Sequence, residues 1–142
     1  MNKWKRIAKE EKGQSLVEFA LLLPVLMLII LGIIEFGFMF NAKITLNSAA
    51  REGARVYAVS KDEAEVNQAV NDTLGYLGSG DSIVKTYKDL DATSGIKMAS
   101  VTITKEVDFL TNFFDALLGE SIVMESEASM RVEYQLAITG GE

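Results

Sequence analysis

From Phe19 to Ile34 the chain reads FALLLPVLMLIILGII, 16 residues without a charge or a polar side chain. Carried through Glu35 to Phe40, the run reaches 22 residues. That is about 33 Å of helix at ~1.5 Å per residue. A hydrocarbon core of roughly 30 Å takes about 20 residues, so one spanning helix fits. A cleaved secretory signal fits less well. Its apolar region is only about 7–15 residues and is followed closely by a small-x-small site. The one candidate, Ser48-Ala49-Ala50, lies ten residues past Phe40. Pro24 stands inside the run. It offers no N–H to the carbonyl of Ala20, so a weak point is expected there, of a kind membrane helices tolerate.

Past the apolar run the helical pattern continues. From Ala42 to Val59 there is no proline, and Gly53 is the only glycine. Ala50, Gly53 or Ala54, and Ala58 fall on one side of such a helix. Small residues let another backbone approach closely. This face is expected to receive the protein's own sheet, neighbouring subunits, or both. Arg51 and Arg55 sit one turn apart beside Glu52; a solvated salt-bridge face suits Arg51, whereas Arg55 could instead cap or pin the head.

Ser60-Lys61-Asp62-Glu63 reads as a capping box opening a second helix. Val66, Ala69, Val70, Thr73, Leu74 and Leu77 then recur at helical spacing, and Gly78 is the expected stop. From there the period changes to two. Residues 82–90 predict a strand and Asp91–Gly95 a turn. Residues 97–107 predict a second strand with Ala99, Val101, Ile103 and Val107 on one side. Residues 108–118 predict a short helix capped by Asp108 and stopped by Gly119. Its broad apolar face of Phe109, Leu110, Phe113, Phe114, Leu117 and Leu118 is expected to cover the sheet, with an exposed partner-binding patch as the alternative. The last strand is the clearest. Ile122, Met124, Ala128, Met130, Val132, Tyr134, Leu136 and Ile138 alternate with polar residues, ahead of a frayed Gly140-Gly141-Glu142 end.

The fold class is α+β. A long N-terminal helix, transmembrane in its first half, leads to a second helix and a small, mainly antiparallel sheet. The head, residues 61–142, holds no cysteine and hence no disulfide. Such a small domain buries a modest core, so the outer half of the long helix is expected to complete it.

Composition sharpens the picture. The chain is 49% hydrophobic and only 24% charged, with a net charge of −6. Residues 1–15 carry five basic side chains against Glu10 and Glu11, whereas residues 41–142 carry 9 basic and 16 acidic ones. A short basic flank holds its end of a span in the cytoplasm, which leaves the acidic remainder outside. An acidic chain without a basic stripe is a poor nucleic-acid binder. There is no cysteine and no histidine, which removes thiol chemistry and the commonest general base. Asp89-x-Asp91-x-Thr93 resembles the start of a calcium loop. Ser94 stands where that loop needs glycine and Ser100 where it needs a bidentate glutamate, so a hydrogen-bonded turn is the better reading. Gly75-x-x-Gly78-x-Gly80 has the wrong spacing and context for dinucleotide binding. Glu125 and Glu127 fall on the solvent side of a strand. No active site and no cofactor are expected.

One carboxylate does not suit a plain anchor. Glu18 opens the apolar run, where an unpartnered charge costs several kcal/mol. The local sequence is Lys12-Gly13-Gln14-Ser15-Leu16-Val17-Glu18-Phe19. A basic leader ending in glycine, with glutamate fifth after it, resembles the prepilin processing site of type IV pilin-like proteins. Gly32-Ile33-Ile34-Glu35-Phe36-Gly37 and Asn47-Ser48-Ala49-Ala50-Arg51-Glu52-Gly53-Ala54-Arg55 follow it. Together these look like the TadE-like family, minor pilin-like (pseudopilin) proteins of tight-adherence, Flp-type pilus systems. Ala128–Glu133 is similar to that family's last strand.

The resemblance implies a pilin-like fold with a leader at 1–13 and a transmembrane helix at 14–40. A continuation of the helix at 41–60 and a head at 61–142 would follow. It implies cutting by a prepilin peptidase between Gly13 and Gln14. The new amine of Gln14 would then neutralise Glu18 of a neighbouring subunit, with Phe19 beside it in the assembly contact. Gly32, Glu35 and Gly37 would pack against a second pilin-like helix, and Ala50, Gly53 and Ala54 against further helices. Glu35 lies 17 residues from Glu18, about 260° around the helix, so one partner would not serve both. Snorkelling to the outer headgroups is the plainer alternative for Glu35, and a second pilin-like partner is the favoured reading. The implied partners are the peptidase, other pilin-like subunits, the assembly platform and the lipid bilayer. The implied location is the cell's inner membrane, N-terminus in the cytoplasm. The alternative from the residues alone is an uncleaved single-pass anchor whose extracytoplasmic head binds a ligand.

Overall fold

The computed structural model describes residues 3–60, 62–89 and 97–132. Helix α1 spans Lys3–Ser60, 58 residues, and runs unbroken through Pro24. Helix α2 (Glu63–Leu74) follows, then a short 3-10 turn at Gly75–Leu77, strand β1 (Ser82–Asp89), strand β2 (Lys97–Asp108), helix α3 (Asn112–Leu118) and strand β3 (Ser121–Arg131). The expected turn at Asp91–Gly95 and the part of the last strand beyond Val132 lie outside the described residues. So do Lys61 and the last three residues. The chain forms two compact units, Met1–Gly37 and Phe38–Glu142.

In the first unit the apolar half of α1 packs against almost nothing of its own chain. Every residue from Gly13 to Ile30 is exposed. Leu21 is 72% exposed and Leu22 64%. Leucine and methionine favour helix, and a spanning segment must satisfy every backbone group internally. An apolar helix with a bare surface is the consequence, and α1 is long and apolar enough to cross a membrane.

The second unit is an α+β head. The sheet is antiparallel throughout in the order β1-β2-β3. Register aligns Val101 with Lys85 on one side and with Ala128 on the other. Period two therefore sets Ala99, Val101 and Ile103 of the central strand on one face, and all three are fully buried. Leu46, Ala49, Ala50 and Ala54 of α1 meet them in one core with Val66, Val70 and Leu74 of α2. The predicted helix and strand periods hold here. Gly53 shows how close the elements come. A Cβ on it would lie 2.6 Å from Val70 Cγ2 and 3.3 Å from Val101 Cγ1.

Several boundaries differ from the sequence expectation. The N-cap of α2 is Asp62, whose carboxylate accepts from the Ala64 N–H at 2.8 Å. Ser60 still belongs to α1, and its hydroxyl accepts from the Asp62 N–H at 3.2 Å. Helix α2 stops at Gly75 rather than Gly78, because Gly75 already takes a positive φ of 52°. Gly78 ends the 3-10 turn instead. Asp108 caps no helix. It is the last residue of β2 and pairs with Ser121, so α3 starts later, after Thr111. Gly119 ends α3 as expected, with φ of 108° and its N–H on the Asp115 carbonyl.

The largest correction concerns the apolar face of α3. It does not cover the sheet. The inner face of the sheet is already filled by α1 and α2, and α3 buries no residue. Phe109 is nearly buried at 9%, but Leu110, Phe113, Leu117 and Leu118 remain 46–66% exposed.

Candidate functional site

The residues singled out from the sequence separate into two groups. Gly13, Gln14, Glu18 and Phe19 lie on one exposed stretch of α1. Gln14 Nε2 donates to Glu18 Oε1 at 3.4 Å, one turn away. This is a long bond between exposed groups, and it leaves the carboxylate open to a stronger partner. Phe19 is 58% exposed. Nothing of the chain comes within 4 Å of a Cβ built on Gly13 or on Gly37. Glycine inside a helix costs about 0.5–1 kcal/mol relative to alanine. At these two positions the chain's own packing gives no reason for it.

Glu35 is only 4% exposed, and it does not lack an interaction. Gly32 is half-buried.

Ala50, Gly53 and Ala54 form the other group. All three are buried, the two alanines at 0% exposure. The contacts of this small-residue face are with the protein's own α2 and β2. Of the two arginines nearby, Arg55 pairs with Glu52 through a 2.6 Å contact. The Arg55 hydrogen bond holds the Glu52 carboxyl below its ordinary value. Both groups face solvent, so the pair adds little to stability.

Polar pins that the sequence did not reveal hold the head together. Asp81 Oδ2 accepts from the Glu106 N–H at 2.6 Å and its Oδ1 from Lys105 Nζ at 3.0 Å. The backbone bond, then the lysine, hold the Asp81 carboxyl below its ordinary value. Lys43 Nζ donates to the Glu125 carbonyl, and the Ser126 hydroxyl donates to Asn47 Oδ1 at 2.6 Å. These two bonds tie the edge strand β3 to α1. Lys85 reaches α2, donating to Glu63 and Asn67.

A groove of about 290 Å³ is lined by Phe38, Tyr76, Leu77 and residues 105–110. Its walls mix apolar side chains with the charged Lys105, Glu106 and Asp108. Among the described residues no three acidic side chains gather where a metal ion would sit.

Residues 13–55 match the family model described as TadE-like protein. The match covers less than a third of the chain, all of it within α1. No curated protein and no solved structure matches the chain. The resemblance to TadE-like proteins thus stands over residues 13–55, and it points to a pilin-like protein associated with tight-adherence pili.

Proposed function

We propose that this chain is a minor pilin-like (pseudopilin) subunit of a tight-adherence pilus system. A prepilin peptidase cuts between Gly13 and Gln14 on the cytoplasmic side. The apolar half of α1 holds the product in the bilayer with the head outside, until it joins or primes a filament with other pilin-like subunits on the assembly platform. One observation carries the reading. The TadE-like match begins at Gly13, with Glu18 five residues on, at the mouth of an apolar helix surface that the chain leaves bare.

The physical logic runs from that surface. A bare apolar helix is stable in lipid, or against other such helices. Glu18 at its end makes a wrong neighbour costly, because an unpaired charge in an apolar core is penalised. A free amine on Gln14 of an adjacent subunit supplies the missing positive charge. Cutting therefore produces the group that the carboxylate needs. Gly13 suits the cut because it is exposed and has no side chain to exclude a protease. Glycine also lowers the cost of unwinding the helix locally, which a protease requires.

N-terminal sequencing of the membrane-extracted protein from its own host tests the reading. The expected first residue is Gln14. A chain that still carries Lys12 and Gly13 in a host with an intact prepilin peptidase overturns it, and leaves the uncleaved anchored binding module in its place.

A further inference from the structure

Three apolar side chains of α3, and Leu110 just before it, stand largely in solvent and need an occupant. Leu110 is 57% exposed, Phe113 46%, Leu117 66% and Leu118 63%. They lie within nine residues, and Phe113, Phe114, Leu117 and Leu118 occupy about 140° of the α3 surface. Contiguous apolar surface of this kind on a small head marks a contact with something else.

Its place within the head indicates what. The apolar run of the sequence ends at Phe40. The groove beneath the β2–α3 corner is lined by Phe38 together with Phe109 and Leu110. Tyr76 stands in the same place. Its ring lies 6.4 Å from that of Phe38, and its hydroxyl accepts from Asn41 Nδ2 at 2.8 Å. The β2–α3 corner is therefore level with Phe38–Asn41. Those residues fall at the outer headgroups if residues 19–40 cross a core of roughly 30 Å. Phenylalanine and a 60% exposed tyrosine at that depth suit an interfacial aromatic belt.

We propose that α3 lies on the outer surface of the bilayer, with Leu110, Phe113, Leu117 and Leu118 immersed among the headgroups. This rests on the reading of α1 as a membrane span. A short amphipathic helix immersed about 5–10 Å binds through apolar burial, aided by basic residues where the lipid is anionic. Here there is no lysine or arginine from Asp108 to Ser121. The contact is therefore apolar, and zwitterionic lipid suffices. Anchored both through α1 and through α3, the head would be held in one orientation on the membrane, and assembly would have to lift α3 off.

The chain has no cysteine, so single cysteines can report depth cleanly. Full-length Phe113→Cys, Leu117→Cys, Leu28→Cys and Glu65→Cys are spin-labelled and reconstituted in phosphatidylcholine vesicles. Collision with oxygen is compared with collision with a water-soluble nickel chelate. Leu28 reports the span, and Glu65, exposed on α2, reports water. The expected result is an oxygen-to-nickel ratio at Phe113 and Leu117 several-fold above that at Glu65 and below that at Leu28. Ratios at Phe113 and Leu117 equal to that at Glu65, with Leu28 in lipid, overturn the inference and leave the span intact. A label at Leu28 that is also in water overturns the span reading and this inference with it. Shielding at Leu117 that disappears as the protein is diluted in lipid assigns the face to a second copy, and overturns the bilayer assignment.

Discussion

Helix α1 carries small residues along both of its halves, and the structure gives them different reasons to be there. At Gly53 a side chain would run into Val70 and Val101, so glycine is set by the protein's own core. At Gly13 and Gly37 a side chain would meet nothing of the chain. The same contrast holds for the large residues. Leu46 is fully buried, whereas Leu21 and Leu22 are largely exposed. One half of the helix is the spine of a folded head. The other half is a surface made for lipid or for other helices. Composition already separates the two, since Phe19 to Ile34 carries no charge whereas the outer half carries Lys43, Arg51, Glu52 and Arg55. The structure adds which side of the outer half is covered.

That contrast can be broken by substitution, and the largest effect should come at the cut site. Gly13→Leu should abolish processing, since a bulky residue would not fit a site built for glycine, while the head stays as stable as before. Immunoblot of the host membrane for cut and uncut chain reads this. A cut Gly13→Leu chain would mean that the peptidase does not select this glycine.

Next in size is the core of the head. Leu74→Ala should cost about 2–5 kcal/mol, because it empties a fully buried site. Urea unfolding in mild detergent, followed through the stacked Tyr57–Tyr87 pair, measures it. Leu22→Ala in the bare half should leave the same transition where it was.

The glycine pair sharpens the comparison further. Gly53→Ala should lose about 1–2 kcal/mol net, since overpacking against Val70 exceeds the gain in helix propensity. Gly37→Ala should change head stability by less than about 0.5 kcal/mol. Equal effects at the two positions would remove the distinction between the halves.

The smallest effect concerns pH. Asp81 is held below its ordinary value in the folded head, so its contribution is fully present above the unfolded value of about 3.9. It is lost as pH falls through the lower, folded value. The urea midpoint should therefore drop between pH 5 and pH 2 more steeply in the native chain than in Asp81→Asn. Parallel curves would mean that the contact with the Glu106 N–H and Lys105 adds nothing.

The sequence made the regular elements legible where one period ran undisturbed. Val66, Val70 and Leu74 recur at helical spacing, and Ala99, Val101 and Ile103 alternate; all six are at zero exposure. Boundaries were missed where local signals compete. Asp108 looks like a helix cap, but pairing with Ser121 extends β2 through it. Gly75 and Gly78 both look like stops, and the earlier one acts first. The face of α3 was misread because periodicity shows that a surface is apolar, not whether the sheet still has room for it. The polar pins left no trace in the pattern. Ser126 and Asn47 are 79 residues apart, and neither type announces a partner. For the candidate site, the stretch from Gly13 to Phe19 is proposed from local sequence, and the structure gives it as exposed helix. The burial of Glu35 left no mark in the sequence, since it depends on the fold.

The account rests on Glu18 acting between subunits rather than within the chain. The direct test is the fraction of cut chain recovered with the other pilin-like subunits from host membranes, for the native protein and for Glu18→Ala. Removing a charge favours insertion, and Glu18 is exposed on α1, so the variant should insert, fold and be cut normally. The account predicts that it then fails to co-purify with its partners. Recovery of Glu18→Ala with those partners at the native level would contradict it.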